Sequence, residues 1–466
     1  MRIKFGTEGW RGVIADDFTV ENVKVVSAAT AKYLLDADPP GDGVVVGHDC
    51  RMMSELFART CATVLNSFGF GVVLNDRPTS SPALSWAIVA RKCKGACVFT
   101  ASHNPGIFHG LKFKPHYGGA ALTEITNAIE KLLHKGEVTG NGSGKTVLAD
   151  FVPDYFRRLK EFVDIERLQA SGLPLAFDAM YGAGAGYLPG ILPKMDIKSI
   201  RQERNPLFPG IQPEPMAEML DALVEATEGR ALGIAFDGDA DRLGAIDEKG
   251  SFVDSHRIFA IVYKHLVERR GMSGEVVKTL TTTRLIDKLA AKYGVKCHVT
   301  PVGFKHIAEL MLNGGVLMGG EESGGIGVSA HLPERDAMLI ALLLIEAVVV
   351  SGRTLSGLVD ELFEEFGPHW YHRIDAQFKR QHMSALQRVV ATIDPKEVAG
   401  YGVTNPDRMD GSLFNLENGR FVMLRASGTE PVVRIYAEAE SPDVAAALAG
   451  AGEALLRRAL AEHGSR

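Results

Sequence analysis

The sequence predicts an α/β protein that ends in a smaller α+β segment, and three observations carry that expectation. Short apolar runs alternate with stretches of helical apolar spacing through most of the chain, as strands packed under helices do. From about residue 370 the pattern changes to alternation, as in Val433-Arg434-Ile435-Tyr436-Ala437-Glu438-Ala439, which reads as antiparallel sheet. One layout also recurs four times: an apolar strand, then a polar loop rich in Gly, Ser, Asp or Glu, starting near Thr100, Asp237, Gly319 and Arg425. Such loops are expected to converge on one cleft, because sites gather where several strand ends meet.

Taken in order, Val44-Val45-Val46-Gly47 reads as a buried strand, Glu55 to Phe68 as a helix, and Gly71 to Leu74 and Ala96 to Phe99 as further strands. The helix expected from Thr123 to Lys135 runs into the glycine-rich Gly136 to Gly144, a turn or linker that sets the first domain boundary near 150. A helix from Asp154 to Val163 and a strand from Pro174 to Asp178 follow. The glycine-rich Tyr181 to Gly186 lacks dinucleotide and P-loop spacing and reads as a strand-to-helix turn. Ala231 to Phe236 is a strand leading into Asp237. Glu275 to Lys278, a helix from Arg284 to Tyr293, a strand from Lys296 to Thr300, and Val316 to Met318 make a third α/β stretch. The apolar run Ala337 to Val350, interrupted by Glu346, is too short for a membrane span and reads as a buried core helix. Phe421 to Leu424 is a strand of the last segment, and an amphipathic helix closes the chain.

At 466 residues the chain has room for about three domains by length alone. A composition of 46% hydrophobic and 23% charged residues is that of an ordinary globular protein. The net charge of −6 argues against a nucleic-acid-binding body, although a local cluster of Arg and Lys can still oppose that sign at an anionic substrate. No signal-peptide pattern is visible, and the five scattered cysteines include no C-x-x-C pair. A reduced, cytoplasmic enzyme without nucleic-acid or membrane partners is the expectation.

The loops carry the chemistry. Thr100-Ala101-Ser102-His103-Asn104-Pro105 presents a serine hydroxyl beside a histidine on a turn after a strand, where either a nucleophile or an ordinary polar turn would stand. Asp237-Gly238-Asp239-Ala240-Asp241-Arg242 spaces three carboxylates so that a turning loop brings their oxygens together, a hard set with room for Mg²⁺ held to a phosphate. An EF-hand is rejected although Glu248 falls at its twelfth position, because Arg242 replaces the required glycine and a strand-like run precedes the loop. A solvated acidic turn, or a phosphatase-like aspartate nucleophile, are the other readings of that loop.

Arg425-Ala426-Ser427-Gly428-Thr429-Glu430-Pro431 offers a guanidinium, hydroxyls and clustered N–H groups suited to a phosphate, or else a plain hairpin turn. Gly319-Gly320-Glu321-Glu322-Ser323-Gly324-Gly325 offers a carboxylate and hydroxyl suited to sugar hydroxyls, or else an exposed acidic turn. Phe5-Gly6-Thr7-Glu8-Gly9-Trp10-Arg11-Gly12 could wrap a phosphorylated residue, and Lys112 follows Ser102 closely enough to return to the same site.

The set FGTEGWRG, TASHNP, DGDADR, GGEESGG and RASGTEP, in this order and along the full chain, resembles the α-D-phosphohexomutase family. The resemblance implies three tandem related mixed-sheet α/β domains and a smaller C-terminal α+β domain around a central cleft. Their expected spans are 1–150 with the phosphoserine loop, 151–254 with the metal loop, 255–369 with the sugar loop, and 370–466 with the phosphate loop. Ser102 matches the serine that is phosphorylated, and Asp237, Asp239 and Asp241 match the Mg²⁺ ligands, completed by a phosphoserine oxygen. Arg11, His103, Lys112 and Arg242 match residues lining the reacting centre. Glu321 and Ser323 match the sugar-binding pair, and Arg425, Ser427, Gly428 and Thr429 the loop for the non-reacting phosphate. Lys278 and Arg434 are further candidates for that anionic pocket.

The implied reaction interconverts hexose 1-phosphate and hexose 6-phosphate through a phosphoserine and a sugar 1,6-bisphosphate, which also serves as activator, in a monomer or homodimer. Lys112 or His103 would handle the hydroxyl proton. Glucose is the expected sugar because the Glu-Glu-Ser form resembles phosphoglucomutases. Mannose or dual specificity ranks second, and glucosamine lower, since its mutases usually carry Gln at position 322. A catalytically silent binding relative is the reading of another class, and the intact Ser102, aspartates and Arg425 loop argue against it. Two departures stand out: His109 replaces a common Asn, and Gly325 stands where some members have histidine, a sugar contact that is then either missing or supplied by His331.

Overall fold

The β-branched run at Val44 becomes the middle of the first sheet in the computed structural model, which describes residues 3–5, 9–428 and 431–464. The strands are β1 (Trp10–Val13), β2 (Val44–His48), β3 (Val72–Asn75), β4 (Gly95–Phe99), β5 (Phe108–Pro115) and β6 (Thr146–Ala149), ordered β1-β5-β4-β2-β3-β6. Val44 and Val46 enter a core with Phe57 and Leu65, while Val45 enters another with Leu84 and Ile88, so both faces of β2 are covered. This is why the run shows no polar alternation. β2, β3, β4 and β6 run parallel, whereas β5 runs antiparallel to both β4 and β1.

The glycine-rich stretch expected as a turn or linker is held against a helix end. Gly144 N donates to Asn66 O at 2.9 Å and Gly140 N to Ser67 Oγ at 2.9 Å, which steers the chain into edge strand β6. The second sheet has order β11-β10-β9-β7-β8, from β7 (Leu175–Asp178), β8 (Ile197–Ile200), β9 (Leu232–Phe236), β10 (Leu243–Asp247) and β11 (Phe252–Val253). Its first three strands in sequence are parallel and the last two antiparallel. Further along, Val316–Gly320 and Ile326–Val328 form an antiparallel hairpin.

The expected core helix spans Ala337–Ser351, with nearly every residue buried, Asp336 capping it through Leu339 N, and Gly352 ending it in the left-handed conformation that glycine adopts freely. Among the described residues no single helix is long and apolar enough to cross a membrane.

The chain forms two compact units, one reaching to Val277 and including Gly303–Leu358, the other made of Lys278–Val302 and the residues from Val359 onward. The second unit contains a six-stranded antiparallel sheet in the order Trp370–Gln377, Val432–Ala439, Phe421–Ala426, Ser412–Leu416, Tyr401–Asp407, Glu397–Val398. Val422 and Leu424 pack under the helices Met383–Thr392 and Pro442–Gly464. Phe421 and Met423 face the other way, onto Leu280 from the 278–302 segment.

Candidate active site

Three of the four expected polar loops lie in the first unit, and each is the turn between antiparallel neighbours. β4 returns as β5 with Phe99 opposite Leu111, β9 as β10 with Phe236 opposite Leu243, and Gly320 stands opposite Ile326. The expected layout of an apolar strand and then a polar loop left out the return strands, which deliver side chains of their own.

Ser102 is buried with φ +51°, a conformation costly for a residue with a side chain. Its N–H donates to Thr100 Oγ1 at 2.9 Å, and Asn104 N to Ala101 O at 3.1 Å. The hydroxyl donates to Asp237 Oδ2 at 2.8 Å, with His103 Nδ1 at 3.3 Å. Gly238 makes that approach possible, since a β-carbon there would fall on the Ser102 carbonyl oxygen. Arg11 reaches the same turn and donates to Asn104 Oδ1 at 2.6 Å.

Asp237 organises its own loop: Oδ1 accepts from Asp241 N at 2.9 Å and Arg242 N at 3.2 Å, and Ala240 takes φ +57°. Beneath it, Ala183 N donates to Gly238 O at 2.9 Å, so the turn at Tyr181 to Gly186 is the bed of the aspartate loop. One oxygen from each of Asp237, Asp239 and Asp241 lies within 4.8 Å of the others, all three residues being buried. Asp239 Oδ1 and Asp241 Oδ1 have no hydrogen-bond partner among the described residues.

Burial, then the neighbouring Asp241 and Asp239, push the Asp237 carboxyl well above the usual carboxylate range. Burial acts the same way on Asp239, but Lys112, Ser81 and Arg335 prevail and hold it below that range. Lys112 Nζ donates to Asp239 Oδ2 at 3.0 Å and Asp241 Oδ2 at 3.2 Å, and Ser81 Oγ to Asp239 Oδ2 at 2.6 Å. Three convergent buried carboxylates with two orphaned oxygens and no nitrogen or sulfur ligand fit one hard divalent cation such as Mg²⁺. Glu248, the position that tempted an EF-hand reading, bonds Ser356 instead.

The third loop joins through Arg335. Its two terminal nitrogens donate to Asp241 Oδ2 at 2.8 Å and Glu321 Oε2 at 3.2 Å, and Glu321 Oε1 accepts from Gly303 N at 3.0 Å. Arg242 donates to Glu214 at 2.9 Å, and Lys114 pairs with Glu334. Ser323 is half-buried in the turn beyond Glu321. His331 does not replace the missing histidine: its Nε2 bonds Asp336 Oδ2 at 3.0 Å and its ring stacks on Trp86, inside the packing. His109 is likewise structural, buried, stacked on Phe18, with Nε2 2.8 Å from Ser54 Oγ.

Sequence reasoning missed Arg335, Ser81 and Arg51. The charged triplet Glu334-Arg335-Asp336 ahead of an apolar helix was a usable signal for the first.

The second unit holds the remaining candidates. Arg425 Nε donates to Asp410 Oδ2 at 2.9 Å and stands directly opposite Arg434, whose Nε lies 3.7 Å from Asp375 Oδ2. Ser427 N donates to Val432 O at 2.9 Å, Gly428 is exposed, and Thr429 lies outside the described residues. A cavity of about 250 Å³ is lined by Gln387, Arg408, Asp410 and Arg425. Lys278 is a correction. It is fully buried, paired with Asp287 and bonded to the carbonyls of Thr282 and Thr283, so its charge is already spent and it offers nothing to an anion.

Four domain families match in order, described as phosphoglucomutase/phosphomannomutase alpha/beta/alpha domains I, II and III over 2–139, 153–250 and 254–366, and the C-terminal domain over 381–452. A phosphoglucomutase/phosphomannomutase of Thermococcus kodakarensis is 32% identical, covering 98% of this chain and 99% of its own. A phosphoglucosamine mutase of Carboxydothermus hydrogenoformans is 30% identical over 93% and 94%. A solved structure from Thermus thermophilus, itself only assigned as a phosphomannomutase, superposes with TM-score 0.88 at 35% identity, covering 98% and 99%. Full-length likeness of this kind makes the chain an intramolecular phosphotransferase, and it belongs to the α-D-phosphohexomutase family.

Proposed function

We propose that this mutase acts on glucose phosphates, moving a phosphoryl group between C1 and C6 with Ser102 as carrier and a sugar 1,6-bisphosphate as intermediate and activator. The observation that carries the reading is the Ser102 hydroxyl, 2.8 Å from Asp237 Oδ2 at the rim of the aspartate triad. Phosphoryl transfer asks a protein chiefly for positioning and charge neutralisation. Asp237, Asp239 and Asp241, with a phosphoserine oxygen, would hold Mg²⁺. That ion, when bound, offsets the charge that builds on the moving phosphoryl group. Lys112, tied to two carboxylates, serves as fixed positive charge. His103, beside Ser102 and half-exposed, is then the group to carry the sugar hydroxyl proton. Arg11 and Arg242 line the reacting centre, and Glu321 and Ser323 hold ring hydroxyls.

Arg425, Ser427, Gly428 and Thr429, with Arg434 beside them, hold the non-reacting phosphate by charge-assisted bonds. Glucose is favoured by Glu322 in the sugar loop. The 30% identity to a phosphoglucosamine mutase supports glucosamine phosphate as the second reading. The test is kcat/KM for the 1-phosphates of glucose, mannose and glucosamine, each with Mg²⁺ and its own bisphosphate. Glucose should give the highest value. Equal values would defeat single-sugar specificity, and a glucosamine maximum would establish the second reading.

A further inference from the structure

We infer that Arg51 is a positioning residue for the carrier serine, a buried guanidinium that sets the conformation from which Ser102 passes its phosphate. The inference rests on the mutase reading above. Arg51 follows β2 and is fully buried. One terminal nitrogen donates to Ser102 O at 2.6 Å and Asn104 O at 2.5 Å, the other to Pro105 O at 3.0 Å and Phe108 O at 3.1 Å. Its Nε lies 3.3 Å from Asp49 Oδ2, and the Phe208 ring lies against the guanidinium at 5.0 Å. Asp49 is itself braced, its Oδ1 accepting from Ser54 Oγ at 2.7 Å and Arg51 N at 2.9 Å.

All four terminal N–H groups therefore spread over the carbonyls of a single turn, the one that carries Ser102. A buried arginine more often meets a carboxylate with that fork. Here the carboxylate takes the Nε side and the fork is left for backbone. Buried carbonyls need partners, and a turn with a residue at φ +51° has few of its own to offer. A lysine brings its donors from one point and cannot span the four oxygens. The hydroxyl held by this scaffold sits 2.8 Å from Asp237, so any tilt of the turn moves the phosphate relative to the aspartates.

The test is Arg51→Lys in the full-length protein, assayed with glucose 1-phosphate, Mg²⁺ and glucose 1,6-bisphosphate, with Ser102 phosphorylation followed by intact mass. A displacement near 1 Å predicts a kcat about 100-fold lower with KM changed less than about threefold, and phosphorylation slowed in step. A variant that melts like wild type and keeps kcat within about threefold overturns the inference. If Arg51→Lys fails to fold, Ser54→Ala decides, since it removes the brace on Asp49, together with the Ser54 contact to His109, and leaves Arg51 in place. It should lower kcat about tenfold at unchanged KM, and an unchanged kcat overturns the inference. A wild-type protein inactive on every hexose 1-phosphate would instead sink the mutase reading itself.

Discussion

Replacing Gly325 by alanine should uncouple the Glu321 loop from the aspartate loop through one methyl group. A β-carbon there would stand 3.0 Å from Arg335 Cγ and 3.3 Å from its Nε, and closer still to Cδ. A long side chain usually swings away from such an intrusion, but this one is fixed at its far end by Asp241 at 2.8 Å and Glu321 at 3.2 Å and is buried. Relief therefore requires a shift of about 1 Å, enough to break at least one of those bonds, and overpacking of this kind costs about 1–3 kcal/mol. Misplacement on that scale near the reacting groups lowers kcat/KM about 100-fold, or about 2.7 kcal/mol. The assay is a double-mutant cycle with Arg335→Met, whose side chain lacks the anchors to Asp241 and Glu321 and can swing away from the methyl. Gly325→Ala should cost about 100-fold alone and less than about threefold in the Arg335→Met background. An equal cost in both backgrounds, or wild-type kcat/KM for Gly325→Ala, refutes the reasoning.

Ser102→Ala should abolish both mutase turnover and protein phosphorylation by the bisphosphate, and retained turnover would remove the serine from the cycle. Asp239→Ala should weaken Mg²⁺ binding in calorimetry by at least about tenfold, because it deletes one of three convergent carboxylates; unchanged affinity would unseat the metal site. His109 gives a pH signature: burial holds its imidazole down to about 4 from an ordinary 6.5. The unfolded chain takes up the proton first, so the contribution of this residue is full above about pH 6.5 and lost progressively as pH falls to about 4, up to about 3 kcal/mol. His109→Asn should therefore lose less melting temperature than wild type between pH 7 and pH 5, and parallel losses would contradict the assignment.

What the sequence made legible follows the physics of each element. Val44 to Val46 and Ala337 to Val350 are apolar because they are covered on all sides, so pattern alone located them. β5 escaped because His109, Lys112 and Lys114 interrupt its apolar signal, and those residues are buried only through partners far along the chain. Lys112 meets Asp239 and Lys114 meets Glu334, and no local spacing announces such pairs. Arg51 was invisible for a different reason, since its partners are mostly backbone carbonyls. Lys278 misled in the opposite direction: a lysine ending a strand looks available to an anion until Asp287, nine residues on, is seen to hold it.

The buried charges of the first unit also constrain the cation the site asks for. Among the described residues the network sets six carboxylates, Asp237, Asp239, Asp241, Glu214, Glu321 and Glu334, against four cations, Lys112, Lys114, Arg242 and Arg335. The deficit is two charges, which one divalent ion cancels. With no such ion, a proton on Asp237 relieves part of the strain, and this is the carboxyl that burial and its two neighbours push upward. Phosphorylating Ser102 adds about −1.5 to −2 charges and reopens the deficit after the metal is bound. The cation that answers it, Arg11, stands outside the buried network, on β1 beside the serine turn, where it is bonded to Asn104. Being less buried than the network, Arg11 holds its charge at a smaller desolvation cost. A buried set matched to the metal and a looser cation matched to the phosphate would let one site keep its ion while its phosphate comes and goes.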